Sequence, residues 1–391
     1  MQCKAKALAS SLLVLGIVVV VAACGSSSAT NSSSGGAGGG STSAAAAATT
    51  GSGASTASGG TSTAAAASGT PSWCGSKQIT FALADGFGDN NWRKITTGEA
   101  RDEAAECKSI TKFIYTDGQG NTQKAISDIH GLAAQGVNAA VVFPDAGQAV
   151  LPAIRDIYKA GVVTVPYRVF PGGKAGTDYN YYISTQFQQA GELWGKWLDT
   201  ALHCKGNVIN LGGPPANSQS LAEYQGLKQA IASCPGIHII GTTPYYVTNW
   251  DPAQTQKVVT AVLAKYPKID AITTDFGAAL ASAFSAFSQA NRKIPAIATE
   301  DSNQLSCDQK KLHFPLFTVD SQNWMVRTAV DFAVAKASGG TIPSSTVVPQ
   351  KAFEDSLTGK PHPVECVPSL PSDAILSSHL THTQLKAALG E

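Results

Sequence analysis

From residue 79 onward, short apolar runs alternate with longer stretches whose apolar positions recur every three or four residues. Runs at 79–84, 112–115, 139–143, 162–165 and 181–184 have the length of strands buried on both faces, and a second set follows at 207–211, 237–242, 271–275, 296–299 and 316–319. The helical period fills the gaps at 92–106, 121–134, 149–160, 188–202, 221–232, 253–265 and 278–290, and Trp324 opens a further helix. Strand, helix and strand in turn, with few prolines inside either, predicts βαβ units and parallel sheets covered on both faces. Two sets of five strands predict two doubly wound α/β lobes rather than one large sheet.

The first 72 residues follow no such pattern. Lys4 and Lys6 precede an apolar run over 7–22, and Val21-Ala22-Ala23-Cys24 closes it. The run is too short and wrongly flanked for a membrane span, and it reads as a signal peptide over 1–23. Small residues directly before a Cys resemble the lipobox of bacterial lipoproteins, which implies cleavage before Cys24 and acylation of its thiol and new amine. An ordinary secretory signal with a chance Cys is the other reading. Residues 24–72 then consist almost entirely of Gly, Ser, Ala and Thr, without charge or aromatic ring. Such a segment cannot bury enough apolar surface to offset its ordering entropy and is expected to be a disordered leash. A coil of that kind extends roughly 40 Å. The expected location is the cell envelope, outside the cytoplasm, tethered to a membrane.

Composition narrows the class. Residues 73–391 are an ordinary globular mixture, long enough for two domains. The net charge of +1 gives nucleic-acid binding no electrostatic support. Of eight cysteines, Cys3 leaves with the signal peptide and Cys24 is the lipid site, so an even set of six remains, as expected for disulfides in an exported chain. No CxxC spacing supports zinc or dithiol redox chemistry. Cys74 and Cys107 each precede one of the first two strands, which neighbour one another in a right-handed βαβ unit, so they are expected to pair. Cys204 and Cys234 hold the equivalent places in the second set. Pairing of Cys307 with Cys366 would clip the C-terminal tail to the second lobe. These pairings rest on topology, since spacing alone does not fix connectivity.

Ligands of open parallel sheets bind outside the carboxyl ends of the strands. The first set of runs leads there into Asp85, then Asp89, Asn90, Asn91 and Trp92, and later into Asp145 and into Tyr167-Arg168. The second set ends at Gly212-Gly213, Asp275, Glu300-Asp301 and Asp320. Carboxylates, amides and guanidinium groups hydrogen-bond hydroxyls, and flat aromatic faces cover the C–H surface of a sugar ring.

The segments ITFALADGFGDNNWRK, GLAAQGVNAAVVFPDAGQAV, AGVVTVPYRV, VINLGG, DAITTDFGAAL, AIATED and LFTVDSQNW occur in this order from Ile79 onward. Over nearly all of the globular part the chain resembles the type I periplasmic binding proteins, the sugar-binding branch that serves bacterial ABC transporters. The resemblance implies that Asn90 or Asn91 hydrogen-bonds a ligand and that Trp92 stacks on it. It implies that Arg168 binds ring hydroxyls, with Tyr167 where sugar binders often carry Asp. Asp275 and Asp301 match second-lobe positions that contact ligand, and Asp320 lies at the hinge. One departure matters. The loop after VINLGG usually presents an Arg, whereas PPANSQSLAEYQG carries Asn217, Ser218, Gln219 and Glu223 and no cation. The cleft is therefore more acidic than the family leads one to expect, which admits a polyol, an amino sugar or another cationic solute.

Plainer roles compete. Asp85, Asp145 and Asp301 can cap the helices that follow them, Trp92 can be a core residue, and Trp250 is expected to shield a helix. No HExxH, Walker-type or Gly-x-Ser-x-Gly pattern occurs, so no enzymatic step, metal or cofactor is expected. The expected protein is a lipid-anchored, monomeric solute-binding protein of two lobes joined by a three-segment hinge. Lobe one is 73–184 with 321–348, and lobe two is 185–320 with 349–391. Crossings are expected near 183–187, 320–322 and 347–351. A small polar solute, sugar favoured, binds between the lobes and passes to a transporter permease. A sensory receptor using the same clamp, or a hydrolase using the interdomain carboxylates, are the rivals.

Overall fold

The computed structural model describes residues 69–88 and 90–391. The signal peptide, Cys24, the linker as far as residue 68, and Asp89 lie outside the described residues.

The first lobe runs β1 (Ile79–Asp85), α1 (Asn91–Ala105), β2 (Ile110–Asp117), α2 (Thr122–Ala134), β3 (Ala139–Phe143), α3 (Leu151–Lys159) and β4 (Val163–Pro166). The strands form one parallel sheet in the order β2-β1-β3-β4. A two-residue strand, β5 (Ser184–Thr185), leads into α4 (Phe187–Ala201) and the second lobe. That lobe continues through β6 (Lys205–Gly212), α5 (Ser218–Ala230), β7 (Gly236–Ile239), β8 (Tyr246–Val247), α6 (Pro252–Lys265), β9 (Ala271–Thr274), α7 (Gly277–Ser282), α8 (Phe284–Gln289), β10 (Ala296–Glu300), α9 (Asn303–Leu312) and β11 (Leu316–Val319). Last come α10 (Met325–Ser338), β12 (Val347–Val348), β13 (Ala352–Asp355) and α11 (His382–Leu389). The second sheet is ordered β13-β11-β10-β9-β6-β7, with β8 also on β6, and β13 is its antiparallel member.

Burial explains the arrangement. All five residues of β3 are buried, as its unbroken apolar run requires of a strand covered on both sides. After crossing from the second lobe, α10 returns to the first. Its Met325, Val326, Ala329 and Val330 share one core with Phe81, Leu83, Val141 and Val165. A second core joins Ile209, Ile272, Ile297 and Leu316 to α6, α7 and α8. Disulfides join Cys74 to Cys107, Cys204 to Cys234 and Cys307 to Cys366.

Three sequence expectations need correction. The fifth first-lobe strand over 181–184 does not join the sheet. Asn180 closes the open edge of β4, donating its N–H to the Thr164 carbonyl at 2.9 Å and accepting the Thr164 N–H at 2.7 Å. Beyond it only Ile183 bridges to Tyr167 before the chain turns to pair with β12. The run 278–290 is two helices, α7 and α8, separated at Ala283. The third correction concerns the tail, which does not remain on the second lobe. Residues up to Ser377 are held there by Asn303, whose amide donates to the carbonyls of Val367, Leu370 and Pro371, and by Asp301. The chain then crosses to the first lobe. Ser378 Oγ and the His379 N–H donate to Glu99 of α1 at 2.6 and 2.8 Å, and Leu380 and Leu385 pack with Ile95.

The three hinge crossings lie side by side. Ser184–Thr185 pairs in parallel with Val347–Val348. Gln322, at φ 53°, accepts from the Thr185 hydroxyl and donates to the Pro349 carbonyl at 2.9 Å. Ser377–Ser378 makes a fourth passage from one lobe to the other.

Candidate functional site

The cleft lies where the carboxyl ends of the two sheets face each other. On the first-lobe side, Asn90 accepts the Arg93 N–H at 2.9 Å and so starts α1 as its N-cap. This places Trp92 and Arg93 in the first turn, over the ends of β1 and β3. Arg93 donates to Asp85 at 3.3 Å and also to Asp145, and its guanidinium lies 3.2 Å from the centre of the Phe143 ring. Asp85 is 3% exposed, and a buried carboxylate of this kind is tolerable only with a partner. Arg93 supplies one to each aspartate. Tyr167 sits beneath, edge-on to Phe143 at 5.0 Å, and burial pushes its hydroxyl well above the usual tyrosine range.

The second-lobe wall is built on a close helix pair. Gly191 of α4 and Gly226 of α5 meet the opposing backbones of Glu223 and Gln188 with no room for a Cβ, so the two helices are in backbone contact. That contact sets Glu223 under the cleft, 3% exposed. Gln219 donates to Glu223 Oε1 and to Glu300 Oε1, each at 3.1 Å. Asp275 accepts the Ser220 hydroxyl. Trp250, in the left-handed region at φ 56°, lies against Gly213 with its indole toward Asp275.

Arg168 joins the walls. It follows β4, carries φ 62°, and is 7% exposed. Its guanidinium donates to Glu300 at 3.2 Å, to Gln219 at 3.4 Å and to the Ser321 carbonyl at 3.5 Å. It lies 4.7 Å from the Trp92 ring centre and 5.1 Å from that of Phe187. A non-glycine residue in the left-handed region is uncommon and clusters at functional sites. Here the backbone turn is what aims a first-lobe cation at second-lobe acids.

A family model described as a periplasmic binding protein domain matches residues 81–341, which is most of the chain and spans both walls and the hinge. The chain belongs to this family. Among curated relatives, the galactofuranose-binding protein YtfQ of Escherichia coli (strain K12) is 27% identical over 166 residues, 41% of this chain and 51% of that protein. The D-xylose-binding periplasmic protein of the same organism is 25% identical over 182 residues, 45% of this chain and 53% of that protein. The chain thus spans about half the length of the curated relatives it matches. In fold it is similar to an ABC transporter periplasmic solute-binding protein from Actinobacillus succinogenes 130z with bound D-allose. That match has a TM-score of 0.62 at 24% identity and covers 70% of this chain and 97% of the other.

Within this periplasmic binding protein, the residues read from sequence fall into distinct groups. Trp92, Arg168 and Asp275 lie in the cleft, with Asp85 and Asp145 on its first-lobe wall, whereas Tyr167, expected as a ligand contact, is 1% exposed and packs in the first-lobe core. Asn90 and Asn217 are helix caps, Asn217 accepting the Ser220 N–H at 3.0 Å, and Asn91 is the half-buried first residue of α1. The capping role open to Asp85 is filled by Asn90 and that open to Asp301 by the Ser302 hydroxyl, whereas the helix after Asp145 has no side-chain cap. Asp301 and Asp320 are ties rather than cleft groups. Asp301 accepts from Ser321 N and Oγ and from Ser377 N and Oγ, four bonds at 2.6–3.0 Å that leave little capacity for a ligand hydroxyl. Asp320 accepts from Gln350 Nε2 at 2.7 Å and from the Lys351 N–H at 3.2 Å, across the hinge.

Arg93, Phe187 and Trp250 complete the cleft and were not singled out as ligand contacts from sequence. Arg93 directly follows Trp92 at the start of a cleft-facing helix, which was the available signal. The second-lobe acids feel their burial. Glu300 is pushed up to about 8 by desolvation, opposed by Arg168 and reinforced by Asp275, Asp301 and Asp320. Glu223 stands well above the usual carboxylate range, through burial first and then the charges of Asp275 and Glu300. Among the described residues no group of three or more His, Cys, Asp or Glu is arranged to hold a metal ion.

Proposed function

We propose that this chain captures a small polyhydroxylated solute, a sugar or cyclitol, between its lobes and hands it to the permease of an ABC transporter. The observation that carries the reading is Arg168, which spans the cleft to Glu300 and Gln219 between the Trp92 and Phe187 rings. Hydroxyls of a ligand exchange naturally with these donors and acceptors, and the rings suit its C–H faces. A ligand touching both walls only when they are together shifts the population toward the closed form. In this reading 73–184 with 321–348 is one moving body and 185–320 with 349–377 the other. The reading places the protein outside the cytoplasm as a monomer, held to a membrane by a lipid on Cys24 after removal of 1–23, with 24–72 as the tether. No chemical step on the solute is involved.

A thermal-shift panel on the full chain in detergent, with pentoses, hexoses and cyclitols, tests it. A ligand at a hundredfold excess over its dissociation constant adds about 2.7 kcal/mol of stability and raises the melting temperature accordingly. A panel without a single stabilising compound would remove the reading.

A further inference from the structure

We infer that the solute carries a protonated amine beside its hydroxyls and that Glu223 and Asp275 receive that amine; the inference rests on the interlobe cleft being the ligand site, as proposed above.

Glu223 and Asp275 are each 3% exposed; Glu223 Oε2 has no hydrogen-bond partner, and Asp275 Oδ1 has none of good geometry, although the Trp250 indole and the Gly213 N–H lie toward that carboxylate. Buried acceptors are almost always satisfied, so an orphan pair within one wall points to a missing donor. Sign decides which donor. Asp275 and Glu300 lie close enough to Glu223 for their charges to act on it, and Arg168, the cation that reaches this group, is committed to Glu300. Burial and mutual repulsion favour protons on these carboxylates in the unliganded chain. A ligand hydroxyl, which brings one proton and no charge, leaves that penalty on ionisation in place. An alkylammonium offers up to three protons and a full positive charge, so it satisfies both oxygens and offsets that penalty together.

The neighbours fit that reading. Ser220 and Gln219 hold the other oxygens of the two carboxylates, fixing their orientation. Trp250 sits beside Asp275 with its indole N–H turned toward that carboxylate. The first-lobe wall has an unpartnered oxygen too, Asp85 Oδ2, but there Arg93 stands between Asp85 and Asp145 and supplies the countercharge. The amine therefore belongs on the second-lobe side, and the hydroxyls toward Arg168 and Trp92.

Calorimetric titration of the full chain with glucosamine, galactosamine and mannosamine, with the three parent hexoses and with the N-acetylated forms, tests this. At least one amino sugar should bind tenfold or more tightly than its parent, and N-acetylation should abolish the advantage. Glu223→Gln should remove the preference, so that the amino sugar and its parent hexose bind within about threefold of one another. Asp275→Asn gives a second variant should Glu223→Gln fail to fold. Equal or tighter binding of the neutral hexoses by the unaltered chain, or an amine preference that survives both substitutions, overturns the amine assignment and leaves the interlobe clamp standing. No binding by any neutral or amino compound overturns both.

Discussion

The two walls of the cleft carry similar buried acids and differ in what faces them. On the first lobe, Arg93 stands between Asp85 and Asp145. On the second, Arg168 arrives from the opposite lobe to pair with Glu300 and acts more weakly on Glu223, while Asp275 has the Ser220 hydroxyl and the Trp250 indole beside it. The first wall draws its countercharge from its own lobe. The second receives its countercharge only when the lobes meet or a ligand intervenes. A clamp needs this asymmetry, because a wall satisfied by itself does not favour closure, and one satisfied by its opposite does.

The sharpest way to break the comparison is on the first wall. Arg93→Met leaves two carboxylates near the ends of β1 and β3 without their cation. Removing one partner of a buried pair costs about 3–5 kcal/mol, so the urea midpoint should fall by an amount of that order. A loss well under about 1 kcal/mol would mean that Asp85 and Asp145 do not depend on Arg93, and the two walls would no longer differ in kind.

A smaller effect separates the walls by pH. Glu300 on the second wall stands at about 8 in the folded chain against an ordinary 4.5, and Asp145 on the first at only about 6 against 3.8, burial being the first cause of both. The folded state holds these protons more tightly than the unfolded state. Their contribution to stability is thus fully present at pH below the ordinary carboxylate values and is lost as pH rises through about 6 for Asp145 and about 8 for Glu300. The unliganded chain should lose stability steadily over that window, and Glu300→Gln should flatten the slope. A slope unchanged in Glu300→Gln would show that Glu300 stays ionised beside Arg168 and that the second wall is as well balanced as the first.

Much of this was readable in the sequence, for definite reasons. Apolar runs such as 139–143 and 316–319 became strands over those residues, because burial on both faces leaves little freedom in where a strand starts and stops. The cleft was located from the rule that ligands lie beyond strand carboxyl ends, and Trp92 and Arg168 are found there. Side-chain partners were less legible. Asn90 and Asn217 carry residue types that serve equally as caps or ligand contacts, and only backbone geometry shows that they cap α1 and α5. Asp301 looked like an open acceptor because nothing near it in sequence reveals Ser377, 76 residues away. Arg93 was hidden by its neighbour, since both aspartates it serves come from other elements. The crossing of 378–391 to the first lobe depends on α1 offering Glu99 and Ile95 to a distant tail, which no local pattern announces.

The central claim is that the ligand is gripped between the lobes through Arg168. The direct test is a calorimetric titration of the best-binding solute into the full chain and into its Arg168→Ala variant. Truncating one partner of a buried, hydrogen-bonded charge pair costs about 2–5 kcal/mol, so the account predicts binding weakened by roughly thirtyfold or more. Unchanged affinity in a folded Arg168→Ala chain would place the ligand outside the cleft and contradict the account.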